Sequence, residues 1–525
     1  MTSSGTVIRN ATIVDGSGAP GCIADLHFVD GLIVATGRLP ATMDGVESID
    51  ATGLTVAPGF IDIHTHADLA LLAHPQHLPK VMQGVTTEVF TNCGLGFAPV
   101  TGEALAVQRR YLGGLFGDAS DGSVDCSWES VGDLLSQYQR TGIGCNVVYL
   151  APHGAVRVSV MGMQNRPATD GELNAMAALL EEAIADGAWG MSTGLWYAPM
   201  RSASRDELVR LCRTAGFFAT HQRDYGERLF EATRESCDIA REAGVPVQIS
   251  HLQLNGPANA GRAGELIEIL ERERASGVDV TSDIYPYTAG SSLLQALLPE
   301  WCTEGGPVRL EERLNDAQQR SAIERDLAAT GFNWEQYRLS GAQSADGARH
   351  EGWRFTDAAE ARGMSVPAWL CRVIAQERFA ACYINHSAHE GNVREMLQWR
   401  HQMIGSDGLH LRGTCHPRLY GCFPRVLGRY VREERILTLE DAIYKMTGSP
   451  AARLGLDRRG LVRPGYAADI AVFDAARIAD TATFEAPRST PIGIEWVFVN
   501  GVAAVRHGKP TNNLAGAVLR RRHSL

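Results

Sequence analysis

Gly59-Phe60-Ile61-Asp62-Ile63-His64-Thr65-His66 is a β-branched apolar run that ends in two histidines spaced i and i+2. On a strand, alternate side chains share a face, so both imidazoles point the same way. Two neutral imidazoles converging at a strand's end make half of a zinc site. A lone His-x-His is more readily two polar residues where a strand meets a loop. The rest of the chain decides between the two.

Outward from this octapeptide, apolar strands alternate with helical stretches, the pattern of a parallel sheet or barrel. Strand one enters His64. Strands two to eight are read at 87–92, 145–150, 189–193, 217–220, 245–250, 278–283 and 403–406. Helical periodicity fills the gaps, as at 170–186, 228–243 and 264–275. Eight β/α units predict an α/β protein built on a distorted TIM (β/α)8 barrel, whose chemistry sits at the C-terminal strand ends. The stretch 297–369 is too long and irregular for one βα connection and reads as an insertion over the barrel mouth.

Both chain ends are β-rich. Residues 24–29, Asp30-Gly31 and 32–35 read as a hairpin, and so do 494–499, Asn500-Gly501 and 502–505. These ends, 1–57 and 458–525, are expected to form one small β-sandwich, leaving 58–457 as the barrel.

A length of 525 residues suits one barrel plus a small unit. Apolar content of 45% and charge of 21% describe an ordinary globular protein. The net charge of −11 argues against nucleic-acid or anionic-membrane partners. Eleven cysteines without CxxC pairing suggest reduced thiols. Neither a secretory leader nor an apolar span is read, so a cytoplasmic protein with a small-molecule substrate is expected, and a homo-oligomer is compatible with it.

Six polar residues fall at the predicted strand ends: His64 and His66 on strand one, Cys93 on two, His221 on five, His251 on six and Asp407 on eight. Singly each has a dull explanation; Cys93 alone is a small buried hydrophobe. Together at one rim they are the residue types zinc prefers. His153, His386, His389 and His416 are read as structural, and His74, His77, His507 and His523 as solvated. No Gly-x-Ser-x-Gly elbow supports a serine hydrolase.

This order of ligands resembles the amidohydrolase superfamily of metal-dependent hydrolases. Many members bridge two metals with a carboxylated lysine on strand four, or with a glutamate. The only lysines here are Lys80, Lys445 and Lys509, and strand four (Trp189-Gly190-Met191-Ser192-Thr193) offers no acid. The thiolate of Cys93 is the natural substitute. A cysteine in that place is similar to the N-acyl-D-amino-acid deacylase (D-aminoacylase) family. Further matches are Ser192-Thr193-Gly194-Leu195, Asp283-Ile284-Tyr285-Pro286-Tyr287 and the run from His416-Pro417-Arg418 through Gly428-Arg429-Tyr430.

The resemblance implies a zinc enzyme that cleaves the amide bond of N-acyl-D-amino acids. One zinc would be held tightly by Cys93, His221 and His251. A second, weaker position would use His64, His66, Cys93 and Asp407. Asp407 would also carry the proton from water to the leaving amine. Arg418 matches the carboxylate-binding arginine, with Tyr285 and Ser292 beside it, and Tyr197 is a candidate to pack on the substrate. Gln253 replaces a lysine that several members carry, which favours neutral, apolar side chains over acidic ones. The alternatives are a hydrolase of D-peptides or of cyclic amides, of hydantoinase or dihydropyrimidinase type, and a non-catalytic barrel.

Overall fold

The computed structural model describes residues 5–117 and 123–521, so His523 lies outside the described residues. All eight strands of the middle region are present: Phe60–Asp62, Val85–Phe90, Asn146–Tyr149, Met191–Gly194, Phe218–His221, Val247–Ile249, Val280–Ile284 and Gln402–Ile404. Each lies within a few residues of its expected position. Their pairing is parallel throughout. Strands one to three form one run. Strand three then shifts partner at Ala151–Pro152, which pairs with strand four and begins a run that continues through strand eight. Beyond strand eight, Gly408–Leu409 pairs with Thr65–His66, and Asp407 N–H donates to the His64 carbonyl at 2.8 Å.

Local chemistry sets the helices between the strands. The helix Asp170–Ala185 starts with a reciprocal capping box between Thr169 and Glu172. Leu229–Ala243 ends at Gly244, whose φ of 71° only glycine adopts cheaply. Among the described residues, no helix is long and apolar enough to cross a membrane.

Both termini supply one nine-stranded sheet. Its joint is Thr55–Pro58 against Ile470–Phe473, antiparallel, with Ala57 opposite Ala471. The two expected hairpin turns are there, with left-handed Asp30-Gly31 and Asn500-Gly501. Ile8, Leu26, Phe28, Val472, Trp496 and Phe498 form the buried face of this sheet.

The irregular stretch has a hydrophobic cluster of its own, which includes Leu310, Leu339, Phe355 and Trp369. Tyr337–Ser340 within it pairs antiparallel with Cys382–Asn385, which pairs in turn with Gly290–Leu293, so the inserted unit extends past the expected 297–369 on both sides.

One histidine departs from expectation. His77, read as solvated, is buried: it contacts Glu88 and stacks on His410 with ring centroids 5.2 Å apart. Its left-handed backbone (φ 51°) turns the side chain inward.

Candidate metal centre

The six strand-end residues converge. His64 Nε2 lies 3.4 Å from Cys93 Sγ, and Cys93 Sγ lies 3.4 Å from His251 Nε2. His221 Nδ1 is 2.9 Å from His251 Nε2. Asp407 Oδ1 faces His66 Nε2 at 3.2 Å and His64 Nε2 at 3.5 Å. Two sets of donors each fall within 4.8 Å of one another: His64, Cys93 and His251, and His64, His66 and Asp407. His64 belongs to both sets and Cys93 to the first alone, while His221 is in neither and reaches the cluster through His251.

The backbone holds three of the six donors, and Thr91 beside them, under strain. Thr91 (φ 62°), Cys93 (58°), His251 (33°) and Asp407 (48°) are all non-glycine residues in left-handed conformation. Such outliers persist only where surrounding structure enforces them, and they gather at functional sites.

Electrostatics favour a cation here. Burial pushes the Cys93 thiol up to about 11, although His64 pulls the other way. A metal in contact is what would release that proton. Burial, with His251 alongside, holds His221 well below the usual imidazole range, and burial lowers His251 to about 4. Both imidazoles are therefore neutral at pH 7, the form in which a histidine can bind a metal. Burial opposes a charge on His64, yet Asp283 and Cys93 raise its pKa well above the ordinary imidazole value. Thiolate, imidazole and carboxylate together are a donor set suited to zinc.

Beside the donor cluster lies Arg418, fully buried at the start of the helix Arg418–Arg425. Its Nη2 pairs with Asp407 Oδ2 at 2.8 Å, and its guanidinium lies over the Tyr285 ring, 4.4 Å from the centroid. Nε and Nη1 are buried without a partner. Buried donors of that kind call for an acceptor. Ser292 Oγ bonds the Tyr197 hydroxyl at 2.8 Å, and the Tyr197 ring packs on His221 at 4.8 Å. Gln253 differs from these: its amide donates to the Tyr285 and Tyr287 carbonyls at 3.1 and 3.2 Å, which ties down the loop behind Arg418. A cavity of about 720 Å³ opens between Leu195-Trp196, Arg201 and the segment from Ala296 to Pro299, and none of the six donors lines it.

Sequence reasoning gave no role to Asp283 or Tyr225, and it left His416 as structural, which agrees with the bonds His416 makes. Asp283, at the end of strand seven, accepts from the His251 backbone N–H at 2.8 Å and lies 3.1 Å from His64 Nδ1. A carboxylate behind a ligand imidazole fixes its orientation. The Asp-Ile-Tyr-Pro-Tyr match was the signal for it. Tyr225 packs on His221 and His251 with centroids 5.0 Å from each. His416 Nε2–H donates to the Ala289 carbonyl at 2.9 Å, leaving Nδ1 to accept from Arg418 N–H at 3.0 Å.

The amidohydrolase family matches residues 47–275 and 327–505 of this chain. A D-aminoacylase of Alcaligenes xylosoxydans xylosoxydans is 37% identical over 521 residues, 98% of this chain and 97% of its own. An N-acyl-D-aspartate deacylase of the same organism is 38% identical, over 94% of this chain and 91% of its own. A solved structure superposes with a TM-score of 0.83 at 32% identity, covering 99% of this chain and 100% of that one. It is the N-acyl-D-glutamate deacylase of Bordetella bronchiseptica, complexed with zinc and a phosphonate inhibitor that mimics the tetrahedral intermediate.

Proposed function

The chain belongs to the amidohydrolase family, in the branch of the D-aminoacylases, and from that premise we propose that it hydrolyses N-acyl-D-amino acids with neutral, apolar side chains. The products are a carboxylate and a free D-amino acid. The observation that carries this reading is Arg418: a fully buried guanidinium with two unpartnered donors, held 2.8 Å from Asp407, the carboxylate of the donor cluster. A substrate carboxylate supplies the acceptor those donors lack.

Cys93, His221 and His251 would hold one zinc tightly, and His64, His66, Cys93 and Asp407 a second more weakly. When bound, the metal polarises the acyl carbonyl and acidifies a water molecule. Asp407 takes the proton from the attacking water and passes it to the departing amine nitrogen, the transfer that amide cleavage requires. Arg418 both anchors the substrate and keeps Asp407 ionised. Tyr285 flanks the carboxylate position, and Ser292 holds the hydroxyl of Tyr197, whose ring offers an apolar wall beside His221. With Gln253 in place of a lysine, no cation from that position awaits an acidic side chain.

The finer architecture we infer is a distorted barrel over residues 58–457, with the terminal sheet curled into a small sandwich. The parallel order of eight strands and the bond from Asp407 N–H to the His64 carbonyl support it.

A hydrolysis screen tests the substrate. Zinc-loaded enzyme is offered N-acetyl-D- and N-acetyl-L-amino acids, with a hydantoin as an added arm. The expected outcome is turnover of N-acetyl-D-leucine or D-methionine well above the D-aspartate and D-glutamate derivatives. Preference for acidic side chains would refute the neutral assignment. Preference for L-substrates would refute the stereochemistry, and hydantoin opening without linear amide cleavage would refute the reaction.

A further inference from the structure

Strand four contributes nothing to the donor set, yet it grips the turn that carries Cys93. Ser192, fully buried on that strand, accepts from the Gly94 backbone N–H at 3.0 Å and donates to the Thr91 carbonyl. A serine hydroxyl has one proton to give and lone pairs to accept with, and here both capacities are used. The two partners flank Cys93, in a stretch where Thr91, Cys93 and Gly94 have φ of 62°, 58° and 66°. Two of these are L-residues with side chains, for which the left-handed conformation is unfavourable. Something must hold them there.

Strand four is shaped for the purpose. A Cβ on Gly194 would sit 2.2 Å from the Cys93 carbonyl oxygen, so only glycine lets that carbonyl approach. A Cβ on Gly94 would meet Met200 Sδ at 2.3 Å and Thr193 Cα at 3.0 Å. The turn is thus seated against Ser192, Thr193 and Gly194; further anchors are the Asn92 amide, which donates to the Val89 carbonyl at 3.0 Å, and the Thr91 hydroxyl, which donates to the Leu150 carbonyl and accepts from the Leu150 N–H at 3.2 Å.

We propose that Ser192 is a positioning residue for Cys93: by joining Thr91 to Gly94 it holds the turn that aims Sγ at His64 and His251. The proposal rests on the reading of Cys93 as a metal ligand. Strand four then serves the metal through the backbone of its neighbour.

The test is cobalt titration of metal-free wild type, Ser192→Ala, Ser192→Thr and Ser192→Val, competed against a chelator of known affinity and followed by the thiolate-to-cobalt absorption band. Threonine keeps the hydroxyl, and valine has the same shape without it. Loss of an outer-shell partner is expected to weaken cobalt and zinc binding about ten- to hundredfold, with a diminished thiolate band. Alanine and valine should show that loss, and threonine should bind like wild type. If the alanine protein does not fold by circular dichroism, the threonine–valine pair carries the comparison. Hydroxyl-free variants that bind cobalt at wild-type affinity with a full band would overturn the role of Ser192. A wild-type cobalt complex with no thiolate band would instead overturn Cys93 as a ligand, and the proposal with it.

Discussion

At Asp407 one carboxylate meets two imidazoles and a guanidinium. Burial pushes its pKa up, but Arg418, His66 and His64 outweigh burial and hold it well below the usual carboxylate range. It is therefore an ionised base at neutral pH, on a left-handed backbone that fixes where it points. Asp407→Asn keeps the shape and removes the proton acceptor. The variant should retain one tightly bound zinc by metal analysis while kcat/KM falls by at least about a hundredfold, as loss of a general base does. Wild-type turnover in that variant would rule out the proton-transfer role. The six donors were legible because each ends a strand, where periodicity locates it. Asp283 was not singled out, because its role depends on His64, 219 positions away, and on the His251 backbone 32 positions away. His77 failed in the opposite direction: its polar neighbours His74 and Gln76 suggest a solvated loop, but one left-handed residue turns its ring onto Glu88.

Between elements, buried charge links the strands to the helices outside them. Lys80, from the short helix Leu78–Val81, bonds Asp62 Oδ2 at 2.6 Å and Ser406 Oγ at 2.5 Å, while Asp62 Oδ1 accepts from Ser406 N–H at 2.8 Å. This clamp holds strand one and strand eight in register beneath His64 and Asp407. A second network joins the helix Arg205–Ala215 to the ends of strands three and four: Glu207 accepts from His153 Nε2 and Arg157, and His153 Nδ1 lies 2.9 Å from Thr193 Oγ1. Burial raises the Glu207 pKa, yet His153 and Arg157 prevail and hold it at about 2. A carboxyl depressed on folding adds stability that is complete above its unfolded value and disappears as pH falls toward the folded one. For Glu207 that window runs from about pH 4.5 down to about pH 2. Glu207→Gln should cost on the order of 3 kcal/mol at neutral pH and flatten the acid limb in that window. Urea unfolding across pH measures both, and an unchanged acid limb would contradict the coupling. Strand positions were legible at this scale to within a few residues. The strand Gly290–Leu293 was not, because Gly290-Ser291-Ser292 has no apolar alternation and its partner, Cys382–Asn385, lies far along the chain.

Over the whole molecule, the two chain ends were legible as β-rich units because hairpin turns such as Asn500-Gly501 announce themselves. The C-terminal tail beyond the last hairpin carries no such signal, and it does more than finish the sheet. Gly516 N–H donates to the Ile143 carbonyl at 2.7 Å, Val147 N–H to the Ala517 carbonyl at 2.9 Å, and Leu519 N–H to the Val147 carbonyl at 2.8 Å. Trp189 Nε1–H reaches the Leu519 carbonyl at 2.6 Å, and Arg521 donates to the Ala215 carbonyl at 2.9 Å. These partners stand at the starts of strands three, four and five, the end opposite the donor cluster. From Gly516 to Leu519 the strap bonds through its own backbone, which any sequence able to lie extended could do, so periodicity does not reveal it; only the Arg520 and Arg521 side chains add sequence-specific bonds, to the Asp186 and Ala215 carbonyls. Close fits are visible at Gly516, where a Cβ would sit 2.1 Å from the Cys145 carbonyl oxygen, and at Gly187, where one would sit 2.8 Å from Arg520 Cβ. Deleting residues 511–525 should therefore lower Tm by several degrees, since buried strand-end groups such as the Trp189 indole N–H and the Val147 backbone would lose their partners. Zinc affinity should stay at the wild-type value, because the donors sit at the far ends of the same strands. Thermal unfolding and chelator competition on one preparation separate the two effects. Equal loss of stability and of metal binding would mean that the strap and the metal centre form one cooperative unit rather than two ends of a rigid frame.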